Sequence, residues 1–514
     1  MLTRQWGRLW IVPLLFLIGA CTSETIVFRD REPFNPPPDS VNGFLGLFSA
    51  STNQTTCGNC HVGHQRDWQD SPHADAFETL ESSGSAQAFC YGCHTVSENG
   101  NVANGPAGWN VVQDSAYHNV QCESCHGPGL DHVTEPDLPG NVPLAHLSQA
   151  DPDASCASCH SGTHHPFVDE WEQSGHAQII ASPAGRTECQ SCHEGRGALR
   201  GFNANFNYAE RNGTENLPIV CGVCHDPHGS ENEAELRFSI SNPDPEQNLC
   251  MRCHIRRVEP GGGTHGGSPH APQGAVLLGT AGYRPAGFAY DTSRIFTSHA
   301  SERNPRLCAG CHVESFEVTD ALTGDFVINS TGHLFKAIPC VDANGQPLPE
   351  SNCAYDNASR RFNTCAAAGC HASEDVAVSA LTNLRDKLGD LADAIWVDVN
   401  DNETIDVGID TGYLPQIKAA SPGEFAGDTI ITAAEGAFFN VKMIGEERYA
   451  NGDRSLGVHN PFLSESLLRA NIQELVAVYG LAPPPVTVQR ILETPMQGTG
   501  PQSGGITRLI RTLR

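Results

Sequence analysis

The sequence predicts a chain of mostly irregular coil and short α-helices, with little β structure and a more helical C-terminal region. Hydrophobic residues make up only 39% of the 514 residues, against the usual ~45–50%, while glycine (51) and proline (34) are abundant. The motif Cys-x-x-Cys-His occurs eight times, mostly about 33 residues apart. A segment that short buries too little apolar surface to fold alone. Each unit is therefore expected to fold around something covalently attached.

The motif itself indicates what is attached. Its copies begin at Cys57, Cys90, Cys122, Cys156, Cys189, Cys221, Cys250 and Cys308, with spacings of 33, 32, 34, 33, 32, 29, 58 and 57 residues when the longer ninth version at Cys365 is included. In c-type haem attachment, two cysteines form thioethers and the adjacent histidine becomes an axial iron ligand. A single copy would also fit a redox dithiol or half of a zinc site. Eight copies that all end in histidine favour haem.

The predicted cofactor is thus haem c, with nine groups stacked inside coil and short helices. The predicted thioether residues are Cys57, Cys60, Cys90, Cys93, Cys122, Cys125, Cys156, Cys159, Cys189, Cys192, Cys221, Cys224, Cys250, Cys253, Cys308, Cys311, Cys365 and Cys370. The predicted proximal iron ligands are His61, His94, His126, His160, His193, His225, His254, His312 and His371.

Three of the 21 cysteines lie outside the motifs, namely Cys21, Cys340 and Cys353. The last two bracket a short stretch rich in Pro, Gly and Asn. In an oxidising compartment they are expected to form a disulfide worth up to roughly 3 kcal/mol in the chain-entropy model. Two free thiols are the alternative.

The N-terminus predicts the compartment. Residues 1–20 combine two arginines with a short apolar run, and Cys21 follows Ile-Gly-Ala as in a bacterial lipoprotein signal. An ordinary signal peptide or one membrane helix is the alternative, although the run is short for a bilayer span. We expect lipidation at Cys21 and an outer-membrane lipoprotein on the periplasmic or cell-surface side.

The charge balance limits the partners. Without residues 1–20, 29 Lys and Arg face 59 Asp and Glu. The negative electrostatic field of this excess of acidic residues repels nucleic acid and favours basic partners or cationic and mineral surfaces. Solubility alone would also explain an acidic surface, so the charge does not name one partner.

Composition and motif spacing divide the chain further. A Pro-rich tether is expected over 21–50, and a seven-haem repeat array over 51–256 whose units pack mainly on their neighbours. A wider-spaced region with two haems follows over 257–375. The remainder is expected to form a helical C-terminal region over 376–485 and a basic tail over 486–514.

Two features of the C-terminal region stand out. One helix should begin at Asn460 and Pro461, an N-cap followed by a proline in the first turn, and end at Gly480. Between the helices, the residues from Asp398 to Asp406 alternate like the oxygen ligands of a calcium loop. Glu403 replaces the expected glycine and Ile409 the expected acid, so a solvated acidic turn is the favoured interpretation and a calcium site the alternative.

The second axial ligands should be histidines. Only four methionines occur in the chain, whereas 14 histidines remain outside the motifs. Most or all haems are therefore expected to be bis-histidine and low-potential, because methionine ligation raises the potential. His64, His146, His164 and His165 are weaker candidates for the distal position. The favoured distal ligands are His73, His118, His132, His176, His228, His270, His299, His333 and His459.

Several of these histidines lie in recurring contexts. Trp68-x-x-Ser-Pro-His-Ala and Trp171-x-x-Ser-Gly-His-Ala are near-copies, Cys122-Glu-Ser-Cys-His-Gly-Pro-Gly is a third such stretch, and His225-Asp-Pro-His-Gly a fourth. Together they resemble the multihaem cytochrome c superfamily, most closely the decahaem cytochromes that carry electrons through outer-membrane porin conduits. The similarity covers roughly residues 55–375. This chain departs from that pattern in its nine motifs, its lipid-type Cys21 and its long region without haem motifs.

The resemblance implies a wire of closely stacked bis-histidine haems in respiratory or extracellular electron transfer at the outer membrane. The partners it implies are redox proteins, extracellular or mineral acceptors, and an outer-membrane porin or other cytochromes. Six-coordinate iron leaves no position for substrate, which favours an electron carrier over an enzyme. The alternative is a multihaem oxidoreductase, similar to nitrite reductase or hydroxylamine oxidoreductase, with one ligand-accessible haem.

Overall fold

The structure, a computed structural model, describes residues 34–149, 154–204, 206–261, 268–285, 298–300, 303–349, 352–353, 356–367, 369–445 and 451–496. The predicted signal peptide 1–20, the lipidation site Cys21 and the end of the basic tail lie outside the described residues.

The motif region consists of short helices joined by coil, as the composition predicts. Its helices are α1 (Val62–Gln69), α2 (Ala76–Ser82), α3 (Tyr91–His94), α4 (Cys122–His126), α5 (Leu130–Thr134), α6 (Phe167–Glu172), α7 (Ala181–Ala184), α8 (Gln190–His193), α9 (Gly195–Gly201), α10 (Cys221–Cys224), α11 (Gln273–Leu277) and α12 (Ala309–His312). The described strands form two antiparallel pairs, β1 (Leu47–Ser49) with β2 (Gln54–Thr55) and β3 (Phe316–Thr319) with β4 (Phe326–Ser330). The predicted fold class, coil and short helices with little β structure, is confirmed.

The Pro-rich segment differs from the predicted tether. Phe44 is fully buried, and its carbonyl accepts a 2.7 Å hydrogen bond from the Tyr117 hydroxyl. The Glu123 carboxylate accepts from the backbone N–H groups of Leu45 and Gly46 at 2.9 and 2.7 Å. Because these contacts join it to the third motif, the chain from about residue 39 onward belongs to the packed core. A cluster of prolines does not reveal such long-range contacts.

The two near-copies that begin with tryptophan fold alike. The indole N–H of Trp68 donates to the carbonyl of Val120 at 2.8 Å, and that of Trp171 donates to the carbonyl of Ile219 at 2.9 Å. Each acceptor lies two residues before a motif, at Cys122 or Cys221. The backbone N–H groups of Val120 and Ile219 in turn donate to the carbonyls of His73 and His176. The sequence repeat is therefore also a repeat of structure.

The C-terminal region is a helical bundle with its own apolar core. Its helices are α13 (Glu374–Ile395), α14 (Tyr413–Ala420), α15 (Ala433–Ile444), α16 (Pro461–Tyr479) and α17 (Val486–Glu493). The predicted start of α16 is confirmed, because the Asn460 side chain accepts from Leu463 N–H at 3.0 Å. Gly480 ends the helix in the left-handed conformation, at φ +60°.

The bundle extends beyond the predicted boundaries at both ends. Ala275 and Val276 of α11 are fully buried in the same core, so part of the predicted 257–375 region packs into the bundle. At the other end, Val488 of α17 is 2% exposed, so the predicted tail begins with a packed helix. The three prolines before α17 therefore precede another packed helix and do not end the folded region.

Cys340 and Cys353 are joined by a disulfide, with their Cα atoms 5.6 Å apart. The bridge closes a loop between the eighth and ninth motifs. Beside it, Cys340 pairs with Arg360 in an isolated antiparallel bridge. The disulfide therefore fixes the approach of the chain to the ninth motif.

Candidate haem sites

Each motif closes a single turn of helix that brings its cysteines and histidine to one side. In the first motif, the backbone N–H of His61 donates to the carbonyl of Cys57 at 3.0 Å. The same bond recurs in the motifs that end at His94, His160, His193, His225, His254 and His312, with distances between 2.9 and 3.2 Å. Residues three and four apart share a face of a helical turn. This turn is the local geometry that a haem held by two thioethers and one histidine requires.

The ninth motif reaches the same closure despite its two extra residues. The backbone N–H of His371 donates to the carbonyl of Cys365 at 3.0 Å. Gly369 sits in the left-handed region at φ +88°, a conformation that favours glycine and lets the inserted residues loop out. The longer spacing therefore leaves the two ends of the motif in the same relation as in the other eight.

Seven motif histidines face a second histidine from outside the motifs at nearly constant distance. The ring centres of the facing pairs are separated as follows: His61 and His132 by 6.4 Å, His126 and His228 by 6.2 Å, His160 and His73 by 6.2 Å, His193 and His270 by 5.9 Å, His225 and His333 by 6.3 Å, His254 and His176 by 6.2 Å, and His312 and His459 by 6.1 Å.

This separation fits one iron between two imidazoles. A metal–imidazole bond is about 2 Å long and each nitrogen lies about 1 Å from its ring centre, so a shared metal holds the ring centres roughly 6 Å apart. Direct stacking would bring them closer, as for His64 and His228 at 4.3 Å. The residues present therefore fit the haem that the motifs imply.

Hydrogen bonds at Nδ1 orient many of these rings. The Nδ1 atoms of His94, His126, His225, His312 and His299 lie 2.7–3.0 Å from the backbone carbonyls of Ala76, Pro143, Ala234, Phe335 and Val458, respectively. His270 uses the Asn451 side chain and His459 the Asp453 carboxylate. Such a bond fixes the tautomer and leaves Nε2 for a metal.

Burial favours the neutral form of several of the facing rings. It lowers the pKa of His160, His176 and His312 to about 4 each. It also lowers the pKa values of His73 and His254. Because only a neutral imidazole binds a metal, these rings are in the form that ligation needs.

The second and ninth motifs have less direct partners. The pKa of His299 is lowered by burial first and then by the nearby His371, which puts these two rings in one neighbourhood. The pKa of His165 is lowered by burial and then by His94. From the sequence, His165 is only one of the weaker candidates.

His118 lies elsewhere than its predicted role requires. Its ring stacks on Phe77 at 3.6 Å with an angle of 11° between the planes, and Trp109 lies 5.3 Å away. The ring contacts described for His118 are therefore with aromatic side chains, and none is with a motif histidine. The aromatic cluster that holds it is made by residues far apart in sequence.

The predicted calcium loop uses its carboxylates internally. Asp398 accepts from the backbone N–H groups of Asn402 and Glu403, and Asp406 accepts from the amide side chains of Asn400 and Asn402. Lys442 pairs with Glu403 at 2.8 Å. No group of three His, Cys, Asp or Glu side chains converges as a metal site within the part of the chain that the structure describes. These hydrogen bonds hold the loop in place.

The described helices include none that is both long and apolar enough to cross a lipid bilayer.

Comparisons with known families agree with the motifs. A profile described as cytochrome c554 and c-prime matches residues 56–127, and one described as a doubled CXXCH motif matches residues 217–258. The first match spans three motifs and the second spans two. The motifs and these matches together define the class: the chain is a multihaem c-type cytochrome, and its cofactor is haem c.

Individual relatives belong to the same class. The C-type polyheme cytochrome OmcC of Geobacter sulfurreducens is 26% identical over 318 residues, which cover 49% of this chain and 40% of the relative. OmcB of the same organism is 27% identical over 312 residues, 49% of this chain and 38% of the relative. The multiheme cytochrome MtrA of Shewanella baltica is 26% identical over 262 residues, 47% of this chain and 70% of the relative. The chain thus spans about two fifths of the length of the Geobacter relatives.

Among solved structures, the undecaheme cytochrome from the S-layer of Carboxydothermus ferrireducens matches with a TM-score of 0.38 and 21% identity, over 70% of this chain and 50% of that one.

Proposed function

We propose that the protein carries electrons along nine bis-histidine haems and performs no bond chemistry of its own. The observation that carries this proposal is the set of seven facing histidine pairs at 5.9–6.4 Å. When bound, the haem irons supply one-electron Fe(III)/Fe(II) chemistry. An iron with a histidine on each face has no open position for a substrate, so the chain's part is to fix spacing, ligation and exposure.

The remaining two axial pairs follow from proximity. We assign His299 to the iron held by His371 and His165 to the iron held by His94, because His371 lies close enough to lower the pKa of His299 and His94 close enough to lower the pKa of His165. The ring centre of His165 also lies 6.4 Å from that of His160, but His160 faces His73 at 6.2 Å, so His94 is the motif histidine near His165 that needs a partner. His118 is then not an axial ligand of any haem, and its ring packs in the aromatic cluster.

Location and partners are part of the same proposal. The acidic surface and the lipoprotein-type Cys21 support an outer-membrane lipoprotein, facing the periplasm or the cell exterior, that exchanges electrons with redox proteins or with extracellular and mineral acceptors. The relatives named above are themselves polyheme and multiheme cytochromes, which supports a respiratory or extracellular role.

The alternative, an oxidoreductase, requires one iron without a distal histidine. Electron paramagnetic resonance combined with a redox titration of the purified holoprotein separates the two. We expect low-spin signals from all haems, low potentials throughout, and a mass that corresponds to nine haems. A high-spin haem that binds and turns over nitrite or hydroxylamine would overturn the carrier proposal.

A mass that corresponds to eight haems would instead correct the ninth motif alone. It would leave the carrier proposal for the other eight intact, because the facing pairs do not involve Cys365 or Cys370.

A further inference from the structure

Contacts between motifs do not follow the order of the sequence. Five pairs of cysteine side chains from different motifs lie close enough for the two thiols of a pair to shift each other's pKa. They are Cys57 with Cys122, Cys93 with Cys159, Cys156 with Cys221, Cys192 with Cys253, and Cys250 with Cys308. The first four pairs skip one motif each, so contacts also join motifs that are not neighbours in the sequence.

Distances to neighbouring atoms independently support three of these contacts. The other two are supported by shared apolar clusters, one with Ala157 and Val223 of the fourth and sixth motifs and one with Leu249 and Ala309 at the seventh and eighth. The Thr55 hydroxyl, beside the first motif, lies 3.8 Å from Cys122 Sγ. Cys93 Sγ lies 3.8 Å from the carbonyl of Ser158, inside the fourth motif. Cys253 Sγ lies 3.9 Å from the carbonyl of Ser191, inside the fifth motif. In the holoprotein these sulfur atoms are thioethers one carbon from the porphyrin, so their contacts mark where haem edges meet.

Three further neighbours connect the pairs into one series. Cys125 of the third motif lies near Cys156 of the fourth, and Cys224 of the sixth lies near Cys250 of the seventh. Leu249 and Cys224 also share one apolar cluster. Cys311 of the eighth motif lies near Cys365 of the ninth, and the side chains of Glu314 and Asn363 join the same two segments at 2.7 Å.

These contacts repeat with a period of three motifs. The contact of the first motif with the third is equivalent to the contact of the fourth motif with the sixth. The two cysteines in each contact are 65 residues apart in the sequence, Cys57 from Cys122 and Cys156 from Cys221. Second-to-fourth and fifth-to-seventh contacts are equivalent in the same way. The matching hydrogen bonds of Trp68 and Trp171 have the same period.

The distal histidines follow the same register. His73 and His176, from the two tryptophan copies, face the fourth and seventh motifs, which open the second and third repeats. His270, which follows the seventh motif, faces the fifth, the middle motif of its repeat. His165 follows the fourth motif in the same relation to the second, which is the assignment proposed above.

We propose that the haem series is branched: the motifs at Cys57, Cys122, Cys156, Cys221, Cys250, Cys308 and Cys365 form one through-path, and those at Cys90 and Cys189 hold side haems. The proposal rests on the proposed electron-carrier function and adds its route. Among the cysteine contacts given above, the middle motif of the first and of the second repeat touches only the first motif of the next repeat, so an electron that enters a side haem returns through the same neighbour.

The three-motif repeat explains the wide spacing after Cys250. Cys250 and Cys308 touch as first and third members do, yet they are 58 residues apart with no motif between them. The third repeat has therefore lost its side haem while the through-path continues to the ninth motif. Cys60 and Cys370, at the two ends of this path, are exposed, as is Cys125 of the third motif.

The test compares a side haem with a path haem in the same repeat. His270→Met alters the fifth haem and His333→Met alters the sixth; methionine raises the potential of either one. Both are made in a parent carrying Val62→Cys and Val376→Cys, exposed positions next to the first and ninth motifs that anchor the molecule between two gold contacts. Mass and redox titration verify nine haems and one raised potential in each variant.

We expect the current through the His333→Met protein to fall, by about tenfold for each ~59 mV of raised one-electron potential. The His270→Met protein should carry the current of the parent. Equal losses in both variants would overturn the branch while leaving the carrier function standing, whereas a parent that carries no current would overturn both.

A second measurement needs no variant. In a cryo-electron microscopy map of the holoprotein, the iron nearest to that of the second motif should belong to the fourth, and the iron nearest to that of the fifth should belong to the seventh. Irons spaced in sequence order would overturn the branched route.

Discussion

His459 donates its Nδ1–H to the carboxylate of Asp453 across 2.7 Å, and the Asp453 side chain is 1% exposed. Burial lowers the pKa of His459, but the charge and hydrogen bond of Asp453 outweigh it, so the pKa is raised overall. The Ser455 hydroxyl donates to the second carboxylate oxygen. Since the ring also faces His312, this is an axial-ligand candidate held by a charged group, whereas backbone carbonyls hold His299 and His312.

Asp453→Asn should therefore raise the reduction potential of the eighth haem. A carboxylate partner makes the imidazole a stronger donor to ferric iron, and changes of this kind alter metal affinity about 10–100-fold. A tenfold change corresponds to ~59 mV for one electron, so we expect a rise on the order of 60 mV in a redox titration. Asp428→Asn, at an exposed position in the bundle, is the control and should change no potential. Unaltered potentials in Asp453→Asn would show that the carboxylate only packs the ring.

His165→Ala should convert one haem to high spin, because it removes the ligand assigned opposite His94. His118→Ala should keep every haem low-spin and cost about 1 kcal/mol of stability, the value of an aromatic contact such as that with Phe77. Electron paramagnetic resonance and carbon monoxide binding measure the first effect, and thermal unfolding measures the second. The reverse pattern, with high-spin haem only in His118→Ala, would restore His118 as the ligand.

Glu170→Gln should loosen the segment that carries His333. The buried Glu170 carboxylate accepts from the backbone N–H of Thr331 at 2.9 Å, from its hydroxyl at 2.8 Å and from the backbone N–H of His333 at 2.7 Å. An amide has one oxygen instead of two, so at least one buried donor is left unpaired, at a cost of about 1–3 kcal/mol. Denaturant unfolding should show this loss, and Glu172→Gln, exposed on the same helix, should not. Equal stability of the two variants would contradict the bridging role.

Replacing Cys340 and Cys353 with alanine should lower stability by up to about 3 kcal/mol, because the disulfide restricts a short loop in the unfolded chain. The mass should still correspond to nine haems, since neither cysteine belongs to a motif. A reductant should destabilise the native protein and leave the double variant unchanged. A loss of haem from the variant would mean that the bridge is needed to mature the ninth site.

The sequence predicted the local features well and the long-range ones unevenly. The capped start of α16 at Asn460 and its end at Gly480 depend only on a few adjacent residues, and both are where they were expected. The Pro-rich segment and the start of the basic tail were interpreted from composition alone. Both are packed against distant parts of the chain, through Tyr117 and through the bundle core around Val488.

The distal histidines were also predicted unevenly from the sequence. Of the nine predicted from the sequence, seven face a motif histidine, because few other residues of the chain bind iron strongly. His118 was favoured and lies in an aromatic cluster, while His165 was ranked low and lies near His94. The few residues on either side of His118 and of His165 predict neither position.

By itself the sequence determined the cofactor and the class of protein and predicted the attachment points, because the few residues of each motif close one helical turn and carry all the covalent chemistry. Only the tertiary structure decided which histidine faces which motif and which motifs touch. Those relations join residues as distant as His312 and His459, and they depend on how the tryptophan repeats, the disulfide and the C-terminal bundle pack. The spacing of residues within a motif determines the contacts between those residues, whereas the route from one haem site to the next depends on how distant segments of the chain pack.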